Sequence, residues 1–413
     1  METTKNKLWT RNFTIITLGS VVSMCGNAIS GFAMSLLVLD LSDSPMLYAT
    51  FVAVFTLPQI FMPVLSGAFL DRFSRRKTIF TLDYISACLY ALAGVLIKLG
   101  HFTFPVLACF AFVVGCINSI YQVAYSSFYP LLISEGNFQR AYSIASVLET
   151  LAAIAIPLSA FAYNSIGIVP LMFVNTVCFL IAATAETQIK VEETYTKEAS
   201  APVGNYFKQM LIDTKEGFKY LHAEKGLLCI GIYFFFCSLS GGASSVIALP
   251  WFRGNFENGE YTYMLVVGMS VLGRALGGLY HYKRNIPTRH KFTIALCVYV
   301  IIGLIDATYL YLAVPVMMIL QLISGLTSVT SYTIRISSTQ SYVPDGKKGR
   351  FNGAFALLST LGSFLGELGA GALAEAIPMR VVLSIFMGLS SVAALIFIGG
   401  GKKHVKLIYN RQS

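Results

Sequence analysis

The chain is a succession of apolar segments, each long enough to cross a bilayer, with short polar breaks between most of them. A spanning helix needs about 20 mainly apolar residues, because the hydrocarbon core is about 30 Å thick and a helix rises about 1.5 Å per residue. Segments of that order lie at 13–39, 46–70, 77–97, 104–131, 139–163, 168–185, 227–251, 261–281, 288–308, 312–341, 350–374 and 379–399, twelve in all. Inside lipid each backbone amide must find its partner within the segment, so such segments are read as helices. The expected fold class is an all-α membrane protein. Composition agrees: charged residues make up 12% of the 413 and apolar ones 55%, whereas a soluble domain is about 25% charged. The first apolar segment reaches Leu39, exceeds the core of a signal peptide and lacks a small-x-small cleavage site, so it is read as a retained span.

Lysine and arginine set the orientation, because cytoplasmic loops retain them. The N-terminus, the breaks after spans 2, 4, 6, 8 and 10, and the C-terminus hold 25 of the 30 cations. The opposite loops hold Lys98, Arg253 and Arg380, and Arg274 and Arg335 fall within spans. Both termini are therefore expected on the cytoplasmic side. The net charge of +10 follows from this asymmetry, and no nucleic-acid partner is expected.

Little else in the sequence points to chemistry on a bound group. All eight cysteines fall inside apolar segments, as small core residues do. The five histidines are scattered at helix ends and in loops, without metal-ligand spacing. The phrase PDGKKGR at 344–350 lacks the spacing of a phosphate loop and follows no strand. No metal, no cofactor and no enzymatic activity are expected.

The only long break, 186–226, begins with VEETYTKEASAP and continues as an amphipathic run. Phe207, Met210, Leu211, Thr214, Phe218 and Leu221 share one face, which is expected to lie on the inner leaflet surface. A shift of 210 residues brings the second half onto the first in one ungapped register. It sets Glu135 on Asp345 and Arg140 on Arg350, GFAMSLLVLDL at 31–41 on GGASSVIALPW at 241–251, and SGAFLDRFSRR on LGGLYHYKRNI. The expected organisation is a six-helix half at 1–186, a linker at 187–226 and a second six-helix half at 227–413 with a short cytoplasmic tail.

Charge is concentrated in GAFLDRFSRRK at 67–77, where one aspartate and four cations occupy seven residues. Gly67 permits close helix approach near the end of span 2, and Asp71 lies one helical turn further along the same face. A carboxylate there is suited to the exposed amides at a neighbouring helix N-terminus, a contact worth roughly 0.3 to 2 kcal/mol. The stretch resembles the signature of the major facilitator superfamily after span 2, G-x-x-x-D-[RK]-x-G-[RK]-[RK]. Gly67, Asp71, Arg72, Arg75 and Arg76 match, and Ser74 stands where glycine is usual. The resemblance implies two pseudo-symmetric six-helix halves, alternating access, and a gate between Asp71 and the start of span 11 near Gly349–Gly353. The internal register sets His281 opposite Asp71, so the second half does not repeat the aspartate.

Ionisable groups inside a bilayer cost about 2.5 to 3.5 kcal/mol at its centre and are functional candidates. They are Glu149 in span 5, Arg274 in span 8, Arg335 in span 10 and Glu367 in span 11, with Asp83 and Asp306 nearer the span ends. In the resembled fold spans 5 and 8 face each other, which implies a Glu149–Arg274 pair and makes Glu149, Arg274 and Glu367 the candidates for proton coupling. Spans 4 and 10 carry polar stripes at helical spacing, Asn118, Gln122 and Tyr125 in one and Gln321, Ser324, Ser328, Tyr332 and Arg335 in the other. The register lays Asn118, Gln122 and Tyr125 on Ser328, Tyr332 and Arg335, as expected if both stripes line one cavity. Hydrogen bonding between helices is the competing reading.

The opening RNFTIITLGSVVSMCGNAISGFAMSLLVLDLSDSPMLYA, with Asn27 mid-span and Asp40, Ser44 and Pro45 at its end, looks like the first span of the drug/proton antiporter branch. That branch includes the bacterial macrolide efflux pumps. The glycine-rich antiporter motif of span 5 is replaced here by ETLAAIAIPLSA. The resemblance implies a secondary transporter of the bacterial inner membrane that exports amphipathic drugs against protons. Its partners would be a small-molecule substrate, protons and membrane lipids, and it would act as a monomer. Two alternatives stay open: transport of one dedicated, anionic solute (siderophore-like or a metabolite), with Arg335 and the tyrosines as binding groups, and lysolipid or lipid flipping, with Arg335 meeting a phosphate head group.

Overall fold

The computed structural model describes residues 8–41, 44–63, 73–134, 141, 144, 159–191, 212, 215–283 and 286–411. Among them the regular structure is helical throughout, and eleven helices are long and apolar enough to cross a membrane. Their limits fall within a few residues of the expected segments; the second is described as far as Pro63, and residues 64–70 lie outside the described residues. The expected span 139–163 lies largely outside the described residues.

Numbered along the chain, the helices are α1 (Arg11–Leu41), α2 (Pro45–Thr56, with the span continuing to Pro63), α3 (Arg75–Lys98), α4 (Phe104–Phe128), α5 (159–166) and α6 (Ile168–Glu186). The second series is α7 (Lys225–Asn255), α8 (Gly259–Lys283), α9 (Lys291–Thr308), α10 (Val314–Tyr342), α11 (Asp345–Ala374) and α12 (Met379–Ala393). A π-helical stretch, Ala394–Gly399, extends α12, and α13 (Lys402–Tyr409) follows.

Two compact units result, Met1–Asp43 with Val54–Phe207, and Ser44–Ala53 with Lys208–Ser413. In the first, α6 packs against both α1 and α3, and α3 packs against α4. A cluster of Phe13, Ile16, Ile79, Phe128, Tyr129 and Leu132 fills one end. In the second, α12 packs against both α7 and α9, while α7 lies along α11 and α8 along α10.

The repeat reappears at one backbone crossing in each unit. A side chain at Gly115 of α4 would collide with the Phe55 carbonyl of α2, and one at Gly325 of α10 with the Ser270 carbonyl of α8. These glycines are 210 residues apart, the same register that aligns the halves. A helix pair meeting backbone to backbone has no room for a Cβ, so the small residue is a condition of the crossing.

Ser74, which replaces the usual glycine of the charged motif, caps α3. Its backbone is extended and its hydroxyl accepts the Lys77 amide at 3.1 Å, relieving one of the unpaired donors at the helix start. Arg75 then donates to the Ser127 carbonyl at 3.1 Å, and Arg76 to the Ile189 carbonyl. These two cations tie the start of α3 to the end of α4 and to the chain leaving α6, where exposed carbonyls favour positive charge.

Two further elements pack onto the second unit. The described part of the linker forms a helix at 215–223 that buries Leu221 against protein, while Phe207, Met210, Leu211 and Thr214 of the expected apolar face lie outside the described residues. Leu221 is buried in a cluster with Leu227, Ile230, Tyr299 and Phe351. Gly217 lies against the Arg350 backbone, and Glu216 pairs with Arg350 at 2.6 Å. The tail is likewise folded: α13 buries Val405, Ile408 and Tyr409, and the Tyr409 hydroxyl meets that of Tyr299 at 2.9 Å. Asn410 closes the element by accepting from the Phe292 amide and donating to the Arg289 carbonyl.

Candidate substrate cavity and buried ionisable groups

Within the first unit α1, α2, α3, α4 and α6 enclose a cavity of about 280 Å³. Its polar lining comes from Asn27 and Ser23 of α1, Asp83 and Ser86 of α3, and Asn118 and Gln122 of α4. The rest is aromatic and aliphatic, supplied by Phe55, Tyr90, Val114, Ile117, Tyr121 and Phe179. Amides are costly to bury in apolar helices, so three converging on one space mark it as a place where a polar solute can replace water. Tyr90 is fixed from three sides. It stacks on Phe179 at 5.6 Å, meets the Phe110 edge at 5.3 Å and aims its hydroxyl at Asn27 Oδ1, 3.5 Å away.

Tyr125 does not line this space. It stacks between Tyr121, at 6.0 Å, and Tyr129, at 5.3 Å, about 10 Å along α4 from Asn118 by helical rise. The stripe on α4 therefore divides, two amides lining the cavity and one ring joining a tyrosine ladder.

The stripe on α10 is engaged in other ways. Gln321 and Ser324 donate to Asp306 of α9 at 3.1 and 3.2 Å, which is the hydrogen bonding between helices that competed with a cavity role. Ser328 donates to the Gly325 carbonyl of its own helix at 2.7 Å. Arg335 is half-buried and lies against three rings, Phe355 at 4.8 Å, Phe234 at 4.9 Å and Tyr332 at 5.5 Å. A guanidinium is held on aromatic faces by the ring quadrupole; Tyr332 shares the α10 stripe with Arg335, whereas Phe234 and Phe355 come from other helices that the sequence does not place beside it. Tyr332 itself is 59% exposed.

Of the coupling candidates, Glu367 is buried in α11 and accepts from Ser363 at 3.2 Å. Arg274 is exposed on α8, close enough to act electrostatically on Asp306. Glu149 lies outside the described residues, as do Gly67, Asp71 and Arg72 of the gate motif, so neither the Glu149–Arg274 pair nor the gate is described. His281, at the register position of Asp71, bonds through Nε2 to Thr330 at 2.8 Å.

One buried pair was not foreseen. Asp83 of α3 and Glu186, the last residue of α6, are both buried and lie near enough to act on each other electrostatically. Ser23 points its hydroxyl at Asp83 from 3.5 Å. The sequence signal was present, but ending the sixth span at 185 assigned Glu186 to the polar linker. No group of three or more His, Cys, Asp or Glu side chains among the described residues is placed to hold a metal.

The pattern of the Major Facilitator Superfamily matches residues 16–367. Two curated relatives from Bacillus subtilis (strain 168) are similar. The uncharacterized MFS-type transporter YkuC is 23% identical over 67% of this chain and 68% of its own. YfiS, another uncharacterized MFS-type transporter, is 24% identical over 89% and 88%. Among solved structures, a bacterial homologue of the iron transporter ferroportin in an inward-facing state superposes with a TM-score of 0.72 at 14% identity, covering 97% of this chain and all of the other. The nucleoside transporter NupG superposes with a TM-score of 0.65 at 13% identity, covering 94% and 99%. With eleven described spanning helices in two repeated units and a family pattern over most of its length, this chain belongs to the major facilitator superfamily, as an integral membrane secondary transporter.

Proposed function

We propose that the protein is a proton-coupled exporter of small amphipathic organic compounds, working by alternating access from a bacterial inner membrane with both termini cytoplasmic. The observation that carries this reading is the cavity of the first unit, which is lined by the amides of Asn27, Asn118 and Gln122 together with the rings of Phe55, Tyr90 and Phe179. Such a lining accepts a flat apolar body with a few polar groups, the usual composition of small-molecule sites. An acid beside it, Asp83, gives a place where proton and substrate can influence one another.

The test is accumulation of ethidium and a neutral fluorescent drug by inside-out vesicles under an imposed inside-acidic gradient. Gradient-dependent uptake that is reduced by Gln122→Leu is expected. Absence of uptake for every compound would overturn the export reading.

A second reading, transport of one anionic solute, has its own support in Arg335. Its guanidinium rests on ring faces, leaving its hydrogen-bonding edge suited to a carboxylate or phosphate. A lysolipid headgroup would meet the same cation. Accumulation of a labelled organic anion, lost in Arg335→Gln, or translocation of a labelled lysolipid, would select between them.

A further inference from the structure

We propose that Asp83 and Glu186 are a proton-binding site, two carboxyl groups sharing one proton at the edge of the cavity in the first unit. Glu186 has no exposed surface, and Asp83 is 1% exposed. Neither oxygen of Glu186 receives a hydrogen bond from a nitrogen or hydroxyl donor among the described residues. No cationic side chain pairs with either carboxyl among them. A buried carboxylate with neither a cation nor a donor beside it is too costly to persist in an apolar interior. The acidic group that acts on Glu186 is another buried carboxyl, Asp83. A proton held between two neighbouring carboxyl groups resolves this, since an ionised carboxylate only accepts. Like charges this close do not both ionise, the logic of paired acids in general.

The surroundings fit a site that takes up and releases that proton. Ser23 of α1 faces Asp83, Tyr121 of α4 lies near enough to feel both charges, and the Arg76 side chain of α3 is directed at the Ile189 carbonyl. Gly19 of α1 leaves the space that Glu186 occupies, since a Cβ there would come within 3.2 Å of its Oε1. Asp83 and Ser23 both line the cavity, while Glu186 ends α6. The pair therefore connects the end of α6 with the solute space. Proton uptake neutralises one carboxylate and its release restores the charge, with no other bond made or broken. The pair's part in transport rests on the proton-coupled reading above, whereas its shared proton does not.

The full chain in lipid nanodiscs is examined by infrared spectroscopy for the C=O stretch of a protonated carboxyl. The wild type is expected to show such a band at neutral pH. Asp83→Asn and Glu186→Gln should each abolish or move it, and Glu367→Gln should leave it in place. Ser23→Ala keeps both carboxyls and should shift the band by removing a neighbour of Asp83, which decides the matter if either carboxyl variant fails to fold. A wild type without the band, or a band indifferent to Asp83→Asn, Glu186→Gln and Ser23→Ala, overturns the site. Ethidium accumulation is measured on the same proteins. A band that behaves as expected beside absent dye transport sinks the export reading and leaves the proton site standing; gradient-driven transport beside an unresponsive band does the reverse.

Discussion

Arg335 shows what a single cation inside an apolar bundle requires. Each ring contact is worth about 0.5 to 1 kcal/mol, and the three come from α7, α10 and α11. Arg335→Lys keeps the charge but loses the flat stacking group, so its thermal midpoint should fall by a few degrees, as should that of Arg335→Gln. Equal stability of all three proteins in a dye-based melting assay would mean the rings contribute nothing. Gln122 is a different case, since it faces a cavity. Gln122→Leu removes one polar contact to a bound solute, about 1 kcal/mol, and should raise the apparent KM about fivefold with an unchanged melting midpoint. The amides were legible in the sequence because such residues are rare in apolar segments. The Phe234 and Phe355 partners of Arg335 and the carboxyl neighbour of Asp83 were not, because they depend on which helices adjoin.

Helices here are fixed as much by their ends and crossings as by their apolar faces. The N-terminus of α2 is closed by Glu375, which accepts from the Ser44 hydroxyl and, at 3.1 Å, from the Met46 amide. These donors, the Ser44 hydroxyl first, hold the Glu375 carboxyl below the usual carboxylate range. A lowered folded value means the contribution is present above the ordinary carboxylate pKa and is lost as pH falls through the lowered one. Wild type should therefore melt above Glu375→Gln at neutral pH, and the two should converge below about pH 4. A constant difference across that range would exclude the charge as the cause. At the crossing of α8 and α10, Gly325→Val drives a side chain into the Ser270 carbonyl, whereas Gly278→Ala adds a methyl where nothing lies within 4 Å. The first should reduce the yield of monodisperse protein in size-exclusion chromatography and the second should not.

On the scale of the whole molecule, hydropathy placed the spanning helices well because lipid enforces one secondary structure and one length. Packing on top of them was less legible. The linker helix at 215–223 and α13 each bury apolar side chains in the second unit, Leu221 from one and Val405, Ile408 and Tyr409 from the other. Leu221→Asp should consequently lower the melting midpoint by several degrees, as expected when a charge replaces a buried aliphatic side chain. The inferred orientation is tested by fusing a fluorescent protein and, separately, alkaline phosphatase after the C-terminus; fluorescence without phosphatase activity is expected. Gly115 and Gly325 carry a last consequence. Because each crossing brings main chain against main chain, it fixes the residue type at the contact and leaves the side chains facing away free to drift. Two halves with little visible likeness can thus keep a glycine at the same register position, and Gly115 and Gly325 are positions to hold fixed when sequence from one half is grafted into the other.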